Sequence, residues 1–439
     1  MSSLWKNTVC IPHFPRLERN LHTDVLVIGG GLAGILCAYK LAQEGIDYAL
    51  VESSQICEKI TGSTTAKITF QHGLIYHKLI QEVGIERAKM YLEANRSALW
   101  QYRTLAQSID CDYQIQDAFI YTLNNPEKIQ QECGAYQQLG IPAEYTEDLP
   151  LPFPVSAGIR LRNQAQLHPL KLAASLVKKL NIYENTPVQA YDGQHIITPH
   201  AGITASHIIV ATHFPVFNKH GAYFLKMYQQ RSYVTAFEGV KMPDGMYLDE
   251  AETGFSFRSY GDLLLLGGGS HRTGKRGGGW DQLTVFAKQH YPGATAQYHW
   301  AAQDCMTLDG IPYIGEYSKS TPNLYVATGF NKWGFTSAMA AADILCDLIQ
   351  GRYNSVAPVF SPLRTMLHPQ LLKNVLESGL HLLTPTTPRC PHLGCALKWN
   401  PQEHSWDCPC HGSRFTEAGD VLNNPANTNG IWALRRKRQ

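Results

Sequence analysis

Hydrophobic positions near the start of the chain fall into two short runs with an amphipathic stretch between them. Asp24-Val-Leu-Val-Ile28 is apolar and β-branched, and Asp47-Tyr-Ala-Leu-Val51 is a second such run; both predict buried strands of a parallel sheet. Residues 35–44 predict the intervening helix, which stops at Gly45. From about 74 to 152 the pattern turns helical and polar, with 85–108 as the longest predicted helix. Residues of about 220–305 alternate apolar and polar side chains, as in Ser232-Tyr-Val-Thr-Ala-Phe237 and the run 263–266, and predict strands. His207-Ile-Ile-Val-Ala211-Thr212 predicts a further strand, and 337–349 an amphipathic helix. Pro358, Pro362, Pro369, Pro385 and Pro388 then mark a boundary with one short helical stretch at 370–376. The pattern predicts an α/β fold with a second, strand-rich region and a small appendage.

Between the first strand and its helix stands Gly29-Gly-Gly31-Leu-Ala-Gly34, and the second strand ends at Glu52-Ser53. Gly29 permits a tight turn, Gly31 lets a pyrophosphate approach backbone N–H groups at the positive helix end, and Gly34 lets helix and strand pack closely. Glu52 is placed to accept hydrogen bonds from an adenosine ribose. Gly62-Ser-Thr64-Thr65-Ala66-Lys67 supplies hydroxyls and a small residue on the path of such a ligand, and Thr212 ends the returning strand. Asp309-Gly-Ile-Pro-Tyr-Ile-Gly315 and Asn323-Leu-Tyr-Val-Ala-Thr-Gly329-Phe330-Asn-Lys-Trp333-Gly334 follow.

These motifs, in this order over about residues 20–352, resemble the D-amino-acid oxidase and glycine oxidase superfamily of FAD-dependent oxidoreductases. The resemblance implies bound FAD, with Gly329, Phe330, Trp333 and Gly334 beside the flavin ring and the next helix aiming its N-terminus at the pyrimidine end. It also implies hydride transfer from a carbon bearing nitrogen, so the expected substrate is an amine or amino acid. No second glycine unit serves a nicotinamide donor. Candidate catalytic side chains are His72 and His271, each weighed against a purely structural histidine. Arg231, Arg258 and Arg272 are candidates to clamp a substrate carboxylate. His72 and His77 also have the spacing of part of a mononuclear iron site, but no acid-rich lead-in accompanies them.

The C-terminal stretch carries two boxes, Cys390-Pro-His392-Leu-Gly-Cys395 and Cys408-Pro-Cys410-His411-Gly-Ser413. Pro and Gly let both loop tips turn tightly around a metal centre. Cys/His boxes of this kind also suit tetrahedral zinc. The boxes resemble the cluster motif of the Rieske [2Fe-2S] proteins, which implies Cys390 and Cys408 on one iron and His392 and His411 on the other. The resemblance further implies a Cys395–Cys410 disulfide and a Ser413 hydroxyl bonded to a bridging sulfide. Neutral imidazole ligands raise the potential to roughly −150 to +300 mV, against about −400 mV for plant-type all-Cys clusters. Phe415 stands where high-potential members carry Tyr, so a value below the top of that range is expected.

Composition refines the picture little. Of 439 residues 44% are hydrophobic and 17% charged, as in an ordinary globular protein, and the net charge of +2 gives no field for nucleic acid. The terminal Arg435-Arg436-Lys437-Arg438 reads as a solvated tail. The charged N-terminus lacks a signal-peptide core and no apolar run is long enough to span a bilayer, so a cytoplasmic protein without membrane insertion is expected.

The expected architecture is a Rossmann-like FAD-binding core (about 20–75, 155–215 and 306–352) with an α+β substrate domain (76–154 and 216–305), together spanning 1–352. A linker (353–386) and a shortened all-β Rieske domain (387–439) complete it. The expected function is dehydrogenation of a small-molecule amine or amino acid, with electrons passing singly from FAD through the cluster to an external acceptor. A redox sensor without metabolic substrate, or a reductase running in the opposite direction, are the alternatives.

Overall fold

The structure, a computed structural model, describes residues 2–217, 220–241, 244–386 and 388–430. The basic run 435–438 lies outside them. Five parallel strands form the heart of the first sheet, in the order Leu324–Thr328, Gly202–Val210, Leu21–Ile28, Tyr48–Val51 and Ile182–Tyr183. Tyr313–Glu316 closes one edge antiparallel, and Val25 to Ile28 of the central strand are buried on both faces, as their unbroken apolar run requires. Helices Leu32–Gln43 and Gly334–Ile349 pack against each other on this sheet. The strand that leads into each helix's glycine turn therefore ends at a common crevice, the usual ligand position of an open parallel sheet.

A second, mixed sheet runs Thr295–Thr307, Met227–Glu238, Leu263–Arg272, Ser256–Tyr260, Met246–Asp249, Gln114–Thr122, Ala157–Gln166 and Lys67–Ile68. Ala157–Gln166 thus pairs here with Gln114–Thr122, although its position in the sequence put it with the dinucleotide core. The helix expected over 85–108 is Ile85–Leu105, and the short stretch at 370–376 is a fifteen-residue helix, Pro369–Leu383. The third sheet has four short antiparallel strands, Lys398–Asn400, Ser405–Asp407, Arg414–Thr416 and Val421–Asn423. The α/β, α+β and small all-β parts expected from the sequence are present.

The third sheet is docked on the second. Glu403 receives Arg231 from strand Met227–Glu238 and, at 2.9 Å, Arg414 from its own lobe, while Tyr233 Oη donates to Glu403 at 3.0 Å. Arg414 also pairs with Asp407 at 2.9 Å. All four charged groups are less than a tenth exposed. Burial pushes the Glu403 carboxyl up, but the Arg231 and Arg414 guanidinium groups outweigh it and hold the group down at about 2. Removing one member of such a network strands the others' charge and costs about 3–5 kcal/mol. Glu403→Gln is expected to free the lobe: limited proteolysis should cut the 353–388 segment faster than in the wild type, with the flavin domain's own melting little changed.

Candidate functional site

A cavity of about 820 Å³ opens from the dinucleotide turn and reaches both other sheets. Gly29, Gly31, Glu52 and Ser53 line one end. Gly29 has φ +113°, and a Cβ there would meet Ala211 O at 2.7 Å; a Cβ on Gly34 would meet Gly29 O at 1.9 Å. Gly31 faces the cavity with only Thr61 Oγ1, at 3.5 Å, near its missing side chain. The Glu52 carboxylate accepts from Gly30 N at 2.7 Å and from Ser54 N at 3.0 Å, which fixes it at the rim of the turn. Turn, helix end and acid therefore form a cradle open to a pyrophosphate and a ribose.

Thr64, Thr65 and Lys67 continue the wall, and Thr212, Gly329, Phe330, Trp333 and Gly334 face them. Ala66 is fully buried behind the wall at φ +54°, its carbonyl held by Arg258 Nη1 at 2.8 Å. The loop that carries these residues is also pinned by Trp300 Nε1 to Ser63 O at 2.9 Å and by Trp5 Nε1 to Thr64 O at 2.7 Å. Asn331 staples the opposite loop, donating to Gly329 O at 2.7 Å and accepting from Thr307 N at 2.8 Å. Tyr228, Gln230, Ser232, Ser270, Asp304 and Lys332 extend the cavity past the sequence motifs.

His72 and His271 are not part of this wall. His72 is buried behind Trp333, stacked at 4.8 Å; its Nε2 meets Thr69 O at 2.8 Å and its Nδ1 meets Tyr91 Oη at 2.6 Å. Burial takes its imidazole down to about 3, so it is neutral and fully bonded. His271 sits one residue beyond cavity-lining Ser270, and strand alternation turns it to the other side, stacked on Tyr233 at 5.7 Å. None of the three arginines lines the cavity. Arg231 is taken by Glu403, Arg272 donates to Pro409 O and Cys410 O at 3.1 Å each, and Arg258 lies behind Ala66. His77 donates its backbone N–H to Glu132, away from His72's partners.

In the small lobe, Cys390, Cys395, Cys408 and Cys410 are all at most 2% exposed. The sulfurs of Cys395, Cys408 and Cys410 lie within 4.8 Å of one another, and hydrogen bonds from Cys390 first, then Cys395 and Cys410, hold the Cys408 thiol well below its ordinary value. The His392 and His411 rings lie 5.1 Å apart and nearly perpendicular. All four of their ring nitrogens are buried without a hydrogen-bond partner. Burial and the neighbouring His411 lower His392 to about 4, so it offers a neutral nitrogen. Buried imidazoles with both nitrogens empty are costly unless something binds them, and two thiols stand beside them: this donor set fits a cluster with two Cys and two His ligands. The Cys395–Cys410 disulfide is not formed. Both are thiols, where a disulfide would hold the sulfurs at about 2.05 Å.

The two sites share one strand. Along Met227–Glu238, Tyr228, Gln230 and Ser232 face the cavity, while Gln229 and Arg231 face the lobe. Gln229 Nε2 donates to His411 O at 2.9 Å and Asn424 O at 3.0 Å, and Gln303 Nε2 donates to Gly412 O at 2.8 Å. Asn424 lines the cavity from the lobe and donates to Thr212 O at 3.1 Å and Phe214 O at 2.8 Å. Sequence reading missed Gln229, Gln303 and Asn424 because a lone amide carries no motif. Lys67 was also overlooked, although its place after Ala66 was in view.

Fold and sites together define a two-centre redox protein, with a dinucleotide cavity on one side of a strand and a Cys/His pocket on the other. The family model for FAD dependent oxidoreductases matches residues 24–348 and that for the Rieske [2Fe-2S] domain matches 381–435. The chain belongs to the FAD-dependent oxidoreductase family and carries a Rieske domain at its C-terminal end; its cofactors are FAD and a [2Fe-2S] cluster. It is 35% identical to YhfW of Bacillus subtilis (strain 168), named as a Rieske 2Fe-2S iron-sulfur protein, over 96% of this chain and 95% of that one. Its fold is similar to glycine oxidase from Geobacillus kaustophilus (TM-score 0.67, 18% identity, 79% of this chain and 100% of that one). It is also similar to L-proline dehydrogenase from P. horikoshii (TM-score 0.66, 15% identity, 80% and 98%).

Lys67 provides a pH-dependent handle on the cavity. Burial, and then the Arg258 charge, lower its amine from 10.5 to about 7. Between those values the unfolded chain binds more protons than the folded one, so stability rises with pH across that window. The flavin-free protein is expected to gain melting temperature from about pH 7 to about pH 9, and Lys67→Met to lose part of that gain in the same melts.

Proposed function

We propose that this protein dehydrogenates an amine or amino acid and passes the electrons one at a time through its Rieske domain to an external acceptor. The observation that carries the reading is the shared strand: the wall of the flavin cavity is also the platform on which the His411 loop is hydrogen-bonded. Names of the similar folds, glycine oxidase and L-proline dehydrogenase, support the substrate class. When bound, the flavin supplies a two-electron acceptor and the cluster a one-electron carrier.

The chain's own residues have distinct roles in this reading. Gly29, Gly31, Gly34 and Glu52, with Ser53, hold the adenosine diphosphate half; Thr64, Thr65, Ala66 and Thr212 border the path to the ring. Gly329, Phe330, Trp333 and Gly334 flank the ring, and His72 is a positioning residue that braces Trp333 from behind. Gln230, Ser232, Ser270, Asp304 and Lys332, beyond those motifs, offer both charge signs and hydroxyls to a small zwitterion. Cys390 and Cys408 would hold one iron and His392 and His411 the other, with Cys395 and Cys410 as buried thiols beside them. The cavity's polar extension favours an enzyme over a sensor without substrate.

Anaerobic mixing with panels of amines and of L- and D-amino acids tests the reading. One class is expected to bleach the flavin, and turnover with a one-electron dye is expected to exceed turnover with O2. Bleaching by none of them, or faster turnover with O2, would contradict it.

A further inference from the structure

Helix Pro369–Leu383 is inside out. Its inward side chains are polar: Asn374 and His381 are only 2% and 6% exposed. Asn374 accepts from Arg272 Nη1 at 3.0 Å and donates to Leu225 O at 3.2 Å, and Glu377 binds Lys275 at 2.6 Å and His381 at 2.9 Å. Its outward side chains are aliphatic. Leu372 and Leu376 are each 63% exposed, Leu380 61% and Leu383 85%. Those positions follow the helical period on one face, the reverse of what a surface helix ordinarily shows toward water.

The leucine face continues into the cluster loop. His381 O accepts from Ala396 N at 3.0 Å, and Arg389 Nη1 donates to Leu382 O at 3.2 Å and Gly394 O at 2.7 Å. Leu393, next to His392, is 44% exposed. Charge left over in this region is positive. From 361 to 400 Arg364 is paired with Asp309 and the single acid, Glu377, with Lys275, which leaves Lys373, Arg389 and Lys398 without an acidic partner among the described residues. Lys373 and Lys398 are exposed.

The helix's outward face has none of the Tyr, Trp or Arg anchors that dominate protein interfaces. Aliphatic side chains rimmed by lysine are the chemistry of a helix lying at a lipid interface. No described helix is long and apolar enough to cross a membrane, so contact is in the plane. A second copy on this face would cover the His392 loop that the proposed function leaves open to an acceptor.

We propose that helix Pro369–Leu383 seats the protein on an anionic lipid surface, bringing the His392 loop to that surface. The proposal rests on the electron-exit reading above only for its purpose, not for its test. The full-length protein with both cofactors is sedimented with vesicles of phosphatidylcholine alone or mixed with phosphatidylglycerol, at low and high salt. The wild type is expected to pellet with the mixed vesicles, less so at high salt, and Leu376→Glu with Leu380→Glu to bind roughly tenfold more weakly, with flavin absorbance and cluster EPR signal unchanged. A wild type that stays in the supernatant, or pelleting indifferent to the two substitutions, overturns the proposal. So does a wild-type dimer by light scattering that the substitutions convert to monomer, which would assign the face to a second copy. Flavin bleaching by substrate, measured without vesicles, separates failure here from failure of the proposed function.

Discussion

A β-strand alternates its side chains between two faces, and strand Met227–Glu238 uses that constraint to hold two redox sites one backbone apart. Tyr228, Gln230 and Ser232 belong to the cavity; Gln229 and Arg231 belong to the lobe. Moving the register by one residue would exchange the two sets. The strand is paired along nearly its whole length with Thr295–Thr307 on one side and Leu263–Arg272 on the other, so that register is firmly set. Tyr233, two residues beyond Arg231 and on the same face, reaches Glu403 as well.

The lobe needs that platform. Its buried hydrophobic cluster is seven residues, four of them cysteines gathered at the site, with Leu397, Phe415 and Ala426 for the rest. So few apolar side chains cannot hold a domain by themselves. The Arg231–Glu403–Arg414–Asp407 network sets orientation more than it adds stability, because desolvation of four charges offsets most of their attraction. Hydrogen bonds from the Gln229 and Gln303 side-chain amides then fix the loop backbone itself, and Asn424 ties the lobe to Thr212 and Phe214.

The parts of this arrangement legible in the sequence were those where chemistry dictates residue type at fixed spacing. Gly29 and Gly34 could be read because a side chain at either would strike backbone, and the Cys/His boxes because a metal centre needs those donors. His72 and His271 stayed open between a catalytic and a structural role because histidine alone does not reveal whether its nitrogens are already bonded; His72's both are. The arginines stayed open for the same reason, since Glu403 lies 172 positions from Arg231 and nothing local announces the pair. Helix Pro369–Leu383 reads as a short stretch in a linker because the prolines flanking it outweigh its leucines. Its inverted polarity is visible only once burial is known. Trp5 in the first turn of the chain gave no motif, yet it braces the loop at Thr64.

On the proposed function, electrons entering the flavin cavity cross the Met227–Glu238 strand to the Rieske lobe. The most direct test of that crossing is low-temperature EPR on anaerobic protein, frozen after a substrate or photochemical donor has reduced the flavin, with iron and zinc quantified on the same sample. A Rieske-type signal that grows as the flavin bleaches, with about two irons per chain, is the predicted result. Complete bleaching with an intact, oxidisable cluster that never gives the signal, or zinc in place of iron, would contradict it.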